Sequence, residues 1–242
     1  MEGEILVSWD GFCPICLQST KFSATDSWFR DSLRCETCNG GSIPRERALM
    51  LTIRQLLPAY AQLSIHESSP TPRGVSRLLA AQAPAYLPTH YFPNVVPGNS
   101  SFGIRCENLE QQTFPDSCFD LVVTQDVMEH VFHPDKAYQE IYRTLRPGGY
   151  YIHTTPIHKN VVESQQRARL EEDGTITYLA PAEYHGNPIN EQGSLVTYCY
   201  GYDLADLIAK WTWFDVEVRR FHDRTHGIVA EFNDVIICLK SM

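Results

Sequence analysis

Short apolar runs alternate with amphipathic stretches from about residue 59 to the end of the chain. The most continuous run, at 119–124, is rich in apolar β-forming residues, as expected for the buried centre of a parallel sheet. The same pattern predicts further strands at 62–67, 103–106, 150–155, 214–221 and 235–240. Apolar residues at helical spacing predict helices around 75–79, from Pro134 to Leu145, and over 203–210.

Strands that alternate with crossover helices imply an α/β sheet with helices on both of its faces. Ligands of such sheets bind beyond the carboxyl ends of the strands. The polar residues that end or follow the predicted strands are Glu67, Asn108, Gln125 and Asp126. The pattern therefore predicts a ligand site formed by these side chains.

Four cysteines near the N-terminus form two C-x2-C pairs with an 18-residue spacer: Cys13, Cys16, Cys35 and Cys38. Each pair can direct two thiolates at one point, and four thiolates complete a tetrahedral site suited to Zn2+. A structural role is expected, because four protein ligands leave no position open for water or substrate. The alternative is four buried or redox-active thiols, although a redox site normally needs only one pair.

The cysteine pairs and the apolar pattern together predict three parts of the chain. They are a small zinc ribbon at 1–44, a linking helix at 45–58 that ends at a proline, and an α/β domain at 59–242. The connection at 157–202 is much longer than the roughly 2–6 residues typical between a strand and a helix. We expect this polar insert to form a substrate-facing wall; the alternative is a surface excursion or a dimer contact. The charged run at 165–173 within it is interpreted as a solvated helix.

Composition narrows the class of protein. The 242 residues include 20 Lys+Arg and 29 Asp+Glu, a formal net charge of −9, which argues against broad nucleic-acid binding by phosphate neutralisation. No apolar run approaches the roughly 18 residues of a transmembrane helix. The N-terminus lacks the basic and apolar regions of a secretory signal, so we expect a cytoplasmic protein without membrane association.

Two central blocks, 114–131 (FPDSCFDLVVTQDVMEHV) and 140–149 (EIYRTLRPGG), closely resemble class I S-adenosylmethionine-dependent methyltransferases. The ribbon followed by PRERA at 44–48, together with YHGNP at 184–188 and GSLV at 193–196, resembles a zinc-ribbon-bearing, methyltransferase type 11-like branch that acts on small molecules. The resemblance covers nearly the whole chain. It implies a Rossmann-like sheet, S-adenosylmethionine as the cofactor, and methyl transfer as the reaction.

The resemblance also implies a set of cofactor-binding residues: Glu67, Ser68, Gly74, Asn108, Leu109, Gln125 and Asp126. The family's first loop usually reads acidic-x-Gly-x-Gly, whereas here Glu67 is followed by no glycine until Gly74. Asn108 stands where relatives carry an aspartate that receives the adenine amino group, and its side-chain oxygen can still accept a hydrogen bond. No acidic residue follows the second strand region, at 86–92, so no ribose ligand is assigned.

Candidate catalytic residues are the histidines His130, His158 and His185, because an imidazole near neutral pKa can take a proton from a hydroxyl acceptor. Candidate substrate-shaping residues are Tyr184, Asn187 and Tyr198 in the insert. Glu129 and His130 could also bind a metal together with His133, as in some quinone-type methyltransferases. The favoured alternative is that His130 packs on its helix and Glu129 caps that helix.

Three functions fit the sequence. The favoured one is methyl transfer to a small-molecule acceptor, for example a saccharide or a natural-product intermediate. The second is RNA methylation, since some RNA methyltransferases carry an N-terminal zinc ribbon, although residues 1–50 have a net charge of 5 − 7 = −2. The third is a binding or scaffold module that has lost the cofactor, suggested by the glycine-poor loop. The acceptor atom and the oligomeric state stay open.

Overall fold

The computed structural model describes residues 4–187 and 191–242. An N-terminal ribbon contains strands β1 (Val7–Cys13), β2 (Gln18–Ala24) and β3 (Arg34–Cys35) and the short helix α1 (Phe29–Ser32). The strands that follow it, up to the middle of the chain, are β4 (Ile65–Ser68), β5 (Tyr86–His90), β6 (Ser100–Ser101), β7 (Ile104–Cys106), β8 (Phe119–Gln125) and β9 (Leu145–Thr154). The longer helices are α2 (Pro44–Leu56), α3 (Gly74–Gln82), α4 (Pro134–Thr144) and α5 (Leu204–Trp211). The last two strands, numbered after six short strands of the insert, are β16 (Phe214–Arg219) and β17 (Val235–Lys240).

The central sheet has eight strands in the order β16-β17-β9-β8-β4-β5-β7-β6. The five strands β9, β8, β4, β5 and β7 run parallel, whereas β17 is antiparallel to both β9 and β16. The chain order reverses between β4 and β8, so their carboxyl ends form the switch point at which ligands of open α/β sheets bind. The predicted α/β sheet is confirmed.

Alternate residues of the central strands face opposite helical layers. In β8, Leu121 and Val123 pack into the cluster that contains α2 and α3 residues, whereas Val122 packs into the cluster that contains α4 and α5 residues. Both faces are therefore covered, which explains the nearly continuous apolar run of this strand. The connections at 91–103 and 107–118 contain no helix, although parallel strands precede and follow them.

Several predicted boundaries shift by a few residues. The first strand of the sheet begins at Ile65 and not at residue 62, because Tyr60–Gln62 forms a 3-10 helix. Helix α4 ends at Thr144, and the Pro-Gly-Gly sequence that follows already belongs to β9. The helix thus ends just before this sequence, as its helix-ending residues predict, and the strand begins at Leu145, which pairs with Phe119 of β8.

The ribbon shares its apolar core with the α/β domain. Phe22 and Leu33 of the ribbon are fully buried in the same cluster as Leu49 of α2 and Ile65 of β4. Arg47 of α2 lies in this core, donates to the carbonyl oxygens of Leu33 and Gly227, and stacks on the Phe22 ring. Helix α2, predicted as a linker, contacts α3, β9 and β17 and thus forms part of one helical layer.

In its described residues, 157–187 and 191–202, the insert contains six short strands: β10 (Gln165–Gln166), β11 (Ala168–Leu170), β12 (Ile176–Tyr178), β13 (Tyr184–His185), β14 (Ser194–Leu195) and β15 (Tyr198–Cys199). The predicted helix at 165–173 is wrong, because this run forms β10, β11 and the turn toward β12. The buried Thr197 hydroxyl donates to the Val131 carbonyl, and the Tyr200 hydroxyl donates to the Met128 carbonyl. These bonds attach the insert to the 3-10 helix Met128–His130 that follows β8.

Candidate functional site

A buried carboxyl group, that of Glu67, lies near the carboxyl end of β4. It accepts hydrogen bonds from Ser76 Oγ at 2.6 Å, from Tyr86 Oη at 2.8 Å and from Gln125 Nε2 at 2.9 Å. Burial raises the pKa of Glu67, and the three donors oppose that shift. The structure thus brings together two predicted residues, Glu67 and Gln125, and ties the loop after β4 to its neighbouring strands.

The loop after β4 keeps a glycine-like backbone without the expected glycines. Ser69, two residues after Glu67, stands where the family pattern places its first glycine and has a φ of +58°. Gly74 has a φ of +53°, and a Cβ added there would lie 2.3 Å from Glu46 Oε2. Glu46 of α2 also accepts a hydrogen bond from Arg73 Nε at 2.9 Å. Helix α2 therefore packs directly against this loop and requires glycine at position 74.

Other polar atoms at this edge of the sheet are buried and have no hydrogen-bond partner among the described residues. They are Thr71 Oγ1 after β4, His90 Nδ1 at the end of β5, and the side-chain amide of Gln112 after β7. Buried polar groups normally have partners, so these atoms are candidates for hydrogen bonds to a ligand. His90 also ends the strand after which the sequence offered no ribose ligand.

Asn108 and Leu109 follow β7 at the same edge. Asn108 Oδ1 accepts a hydrogen bond from the Glu110 backbone N–H at 2.9 Å, and Leu109 is buried. The Asn108 oxygen thus caps a local turn, and its amide nitrogen is the group left for a ligand. Contact of either residue with a cofactor stays a prediction.

Asp126, which follows β8 with a φ of +53°, is held by the ribbon. Its carboxylate pairs with Arg30 of α1 and with Arg45 of α2, whose Nε lies 2.9 Å away. Burial alone would raise the pKa of Asp126, but the charges of Arg45 and Arg30 hold it below its usual value. Thr154 of β9 donates to its other oxygen at 3.0 Å. With both oxygens engaged, the side chain connects the ribbon to the sheet.

A cavity of about 180 Å³ is lined by residues of the connection that follows β8, by Pro156 after β9, and by residues of the insert. Its lining combines carboxylates, imidazoles and an arginine with apolar groups: Glu129, Pro156, His158, Arg167, Glu183, His185, Val196, Tyr198 and Cys199. Three residues predicted for catalysis or substrate binding, His158, His185 and Tyr198, are among them. Two lining residues carry a buried polar atom that bonds to nothing in the described ranges, namely Glu129 Oε1 and Arg167 Nε.

Glu129, His130 and His185 form a cluster at one end of this cavity, with one potential ligand atom of each within 4.8 Å of the others. Glu129 is 2% exposed, and burial, with a smaller effect of the Asp126 carboxylate, raises its pKa to about 7. Its Oε2 accepts a hydrogen bond from Thr155 Oγ1 at 2.8 Å. The 3-10 helix has no side-chain cap, so the interpretation of Glu129 as a cap is wrong. His133 does not join the cluster; it precedes α4.

The other predicted substrate residues lie outside the cavity lining. Tyr184 is 53% exposed, and its hydroxyl lies 3.5 Å from that of Tyr178. Asn187 Nδ2 donates to Ser194 Oγ at 3.1 Å. The sequence reasoning also missed Arg167 and Glu183, which pair at 3.2 Å in the lining. The one sequence signal for Arg167 and Glu183 as cavity residues is that these charged residues lie within an unusually long connection.

The four cysteines Cys13, Cys16, Cys35 and Cys38 converge as their spacing predicts, with all four sulfur atoms within 4.8 Å of one another. The Sγ–Sγ distance is 3.5 Å between Cys13 and Cys38 and 3.9 Å between Cys16 and Cys35. A tetrahedral zinc with Zn–S bonds of about 2.3 Å requires sulfurs about 3.8 Å apart. Donor type and spacing therefore fit a structural zinc ion.

Comparison with known proteins supports the predicted class. A family model described as "Methyltransferase domain" matches residues 81–153. The ubiquinone/menaquinone biosynthesis C-methyltransferase UbiE of Hydrogenovibrio crunogenus is 46% identical over 52 residues, which are 22% of this chain and 20% of the relative. A probable S-adenosylmethionine-dependent methyltransferase of Mycolicibacterium smegmatis is 40% identical over 53 residues, 22% of this chain and 21% of the relative. The chain thus matches about a fifth of the length of these curated relatives.

Solved structures share the fold over most of the chain. An S-adenosylmethionine-dependent methyltransferase from Mesorhizobium loti superposes with a TM-score of 0.52 at 14% identity, covering 79% of this chain and 97% of the other. The YcgJ protein from Bacillus subtilis gives a TM-score of 0.51 at 11% identity, covering 81% and 98%. The predicted class I methyltransferase fold is confirmed. None of the described helices is long and apolar enough to cross a bilayer.

Proposed function

We propose that this chain, with its class I methyltransferase fold, transfers a methyl group from S-adenosylmethionine to a small polar acceptor bound in the cavity under the insert. The proposal rests on two buried atoms in the cavity lining, Glu129 Oε1 and Arg167 Nε. Neither has a hydrogen-bond partner within the described part of the chain. One can accept and the other can donate a hydrogen bond, which suits an acceptor with hydroxyl or similar groups, such as a saccharide or a natural-product intermediate.

The cofactor would lie across the carboxyl ends of β4, β5, β7 and β8. Glu67 fixes the loop that begins at Ser68 and ends at Gly74 through its bonds to Ser76 and Gln125. Thr71, His90 and Gln112 offer polar atoms that have no partner among the described residues, and Asn108 and Leu109 follow β7 at the same edge. The bound cofactor supplies an electrophilic methyl group on a positively charged sulfur.

The chain's own residues would hold the acceptor and move its proton. Burial lowers the pKa of His158, so its imidazole is neutral near pH 7 and can accept the proton that a hydroxyl acceptor loses. Arg167 and Tyr198 would orient the acceptor, and the insert above them would exclude water. Much of the rate enhancement then comes from positioning, as expected for an in-line displacement.

Arg167 offers a sharp test, because the chain provides a matched control. Arg167→Gln removes the unpartnered cavity donor, whereas Arg169→Gln alters an arginine two residues away that pairs with Glu171 and is half exposed. Transfer of labelled methyl groups to a panel of phenols, saccharides and amines should identify an acceptor for the parent. We then expect at least about a tenfold loss of turnover in Arg167→Gln, with unchanged S-adenosylhomocysteine affinity. Equal turnover in the two variants would refute the acceptor site.

The ribbon would hold one structural Zn2+ through its four thiolates, and this ion would stabilise the fold rather than take part in the chemistry. The Arg30 and Arg45 contacts to Asp126 connect the ribbon to the edge of the cofactor crevice. Metal analysis of Cys35→Ser should show loss of the ion and a strongly destabilised N-terminal region, because much of a ribbon's folding energy is metal-binding energy. Full zinc content and unchanged stability would contradict the assignment.

A further inference from the structure

A short segment, residues 39–43, connects the second cysteine pair to the first turn of α2. The Ser42 carbonyl oxygen accepts a hydrogen bond from the Cys35 backbone N–H at 3.1 Å, and the Ser42 hydroxyl lies 3.6 Å from Cys13 Sγ. Arg47, in the first turn of α2, donates to the same carbonyl oxygen. The position of this turn is therefore tied to that of the cysteine cluster.

Glu46, in the first turn of α2, holds the loop after β4. It is 1% exposed, and its carboxylate accepts from Arg73 Nε at 2.9 Å and from the Ile43 backbone N–H at 3.0 Å. Gly40 of the connecting segment also approaches this loop, since a Cβ built there would lie 3.3 Å from Arg73 Cβ. Two residues before Arg73 lies Thr71, whose hydroxyl is one of the candidate ligand-binding groups. The ribbon and α2 thus support one side of the proposed cofactor crevice.

The adjacent Arg45 holds the opposite side of the crevice, at the end of β8. Its Nε lies 2.9 Å from the Asp126 carboxylate, and its Nη1 donates to Asp31 of α1 at 3.1 Å. Asp126 directly follows Gln125, whose amide donates to Glu67. Removal of one partner from a largely buried ion pair is costly, so loss of the Arg45 cation should displace Asp126 and the strand end that carries it.

We propose that Arg45 and Glu46 are positioning residues for the cofactor, through which the zinc-bound ribbon sets the affinity of the crevice. The inference rests on the proposed function, because it requires the cofactor to lie between the loop after β4 and the end of β8. Adjacent residues of one helical turn contact both sides, so a displaced turn disturbs both sides together. Zinc binding and cofactor binding are then coupled, and each strengthens the other by the same factor.

Calorimetric titration of the zinc-loaded full chain with S-adenosylhomocysteine tests the positioning role. Arg45→Gln and Glu46→Gln should each bind it at least about fivefold more weakly than the parent. Arg45→Lys, which keeps a cation beside Asp126, should bind it within about threefold. Arg54→Gln is the matched control and should bind within about twofold, because Arg54 lies in the same helix but donates to the Pro14 carbonyl of the first cysteine pair. Circular dichroism checks that each variant is folded.

A second measurement separates coupling from a general loss of stability. Competition with a chromophoric chelator gives the zinc dissociation constant of the chain with and without saturating S-adenosylhomocysteine. The ligand should lower this constant at least about fivefold in the parent and in Arg54→Gln, but less than about twofold in Arg45→Gln. A variant that is merely less stable would release zinc more readily and keep the response to the ligand.

The inference is overturned if the parent binds S-adenosylhomocysteine and both Arg45→Gln and Glu46→Gln bind it as tightly. It is also overturned if the ligand leaves the zinc affinity of the parent unchanged, or if the zinc affinity of Arg45→Gln responds to the ligand as that of the parent does. Absence of binding to the zinc-loaded parent would overturn the proposed function and this inference together.

Discussion

Two buried glutamates lie near the carboxyl ends of adjacent strands, yet their surroundings differ. Glu67 has three side-chain donors, so both of its oxygens are satisfied within the protein. Glu129 has one side-chain donor, on Oε2, and its Oε1 is unpartnered among the residues described. Burial raises the pKa of both carboxyl groups. Burial and pKa alone therefore do not distinguish a group that holds a loop from one that awaits a ligand; the count of donors does.

The difference predicts opposite responses to substitution. Glu67→Ala leaves Ser76, Tyr86 and Gln125 without their acceptor inside the protein, and each buried unsatisfied group costs about 1–3 kcal/mol. We expect the free energy of unfolding to fall by about 2–4 kcal/mol, with partial relief by water. Urea denaturation measures it. Glu67→Gln retains one accepting oxygen and should lose less; an equal loss in both variants would show that these hydrogen bonds do not matter.

The loop held by Glu67 should respond to the shape of residue 69. Ser69 has a positive φ, which favours residues without a branched Cβ. We expect Ser69→Val to cost about 1–2 kcal/mol, whereas Ser69→Gly should change stability by less than about 1 kcal/mol, because relief of strain offsets the greater freedom of the unfolded chain. Thermal denaturation compares them. Equal stability of the two variants would contradict the conformation assigned to the loop.

Glu129→Gln should have the smallest effect on folding. The glutamine retains one oxygen that can accept from Thr155, and a neutral amide avoids the burial of a charge. We expect the free energy of unfolding to change by less than about 1 kcal/mol in the zinc-loaded protein. Urea denaturation of the zinc-loaded parent and variant measures this change. A loss as large as that of Glu67→Ala would identify Glu129 as a group that supports the fold.

The same contrast explains what the sequence could predict. Strand β8 and the cysteine cluster depend on residues close together in the chain, so apolar run length and C-x2-C spacing were sufficient. The cavity depends on Glu129 and His185. The hydroxyl groups of Thr197 and Tyr200 attach the insert that carries His185 to the segment that carries Glu129, and no local pattern encodes these long-range bonds. The helix predicted at 165–173 failed for a related reason, because pairing with β12 and β15 outweighs local helix propensity.

The loop after β4 could be predicted from the sequence only in part. The absence of the expected glycines suggested a lost cofactor site, but Ser69 adopts the left-handed conformation that a glycine would supply. Sequence patterns record which residue most easily adopts a conformation and do not exclude a second residue whose surroundings hold it there. Only the backbone angle showed that Ser69 adopts this conformation.

The central claim, a cofactor crevice beside a separate acceptor cavity, is tested most directly by calorimetric titration with S-adenosylhomocysteine. The parent should bind one molecule per chain, and Glu67→Ala should bind it more weakly by about 1–3 kcal/mol, or about 5- to 150-fold. Glu129→Ala, the same substitution at the cavity glutamate, should bind it within about threefold of the parent. Absence of binding to the folded, zinc-loaded parent, or an equal loss in both variants, would contradict the account.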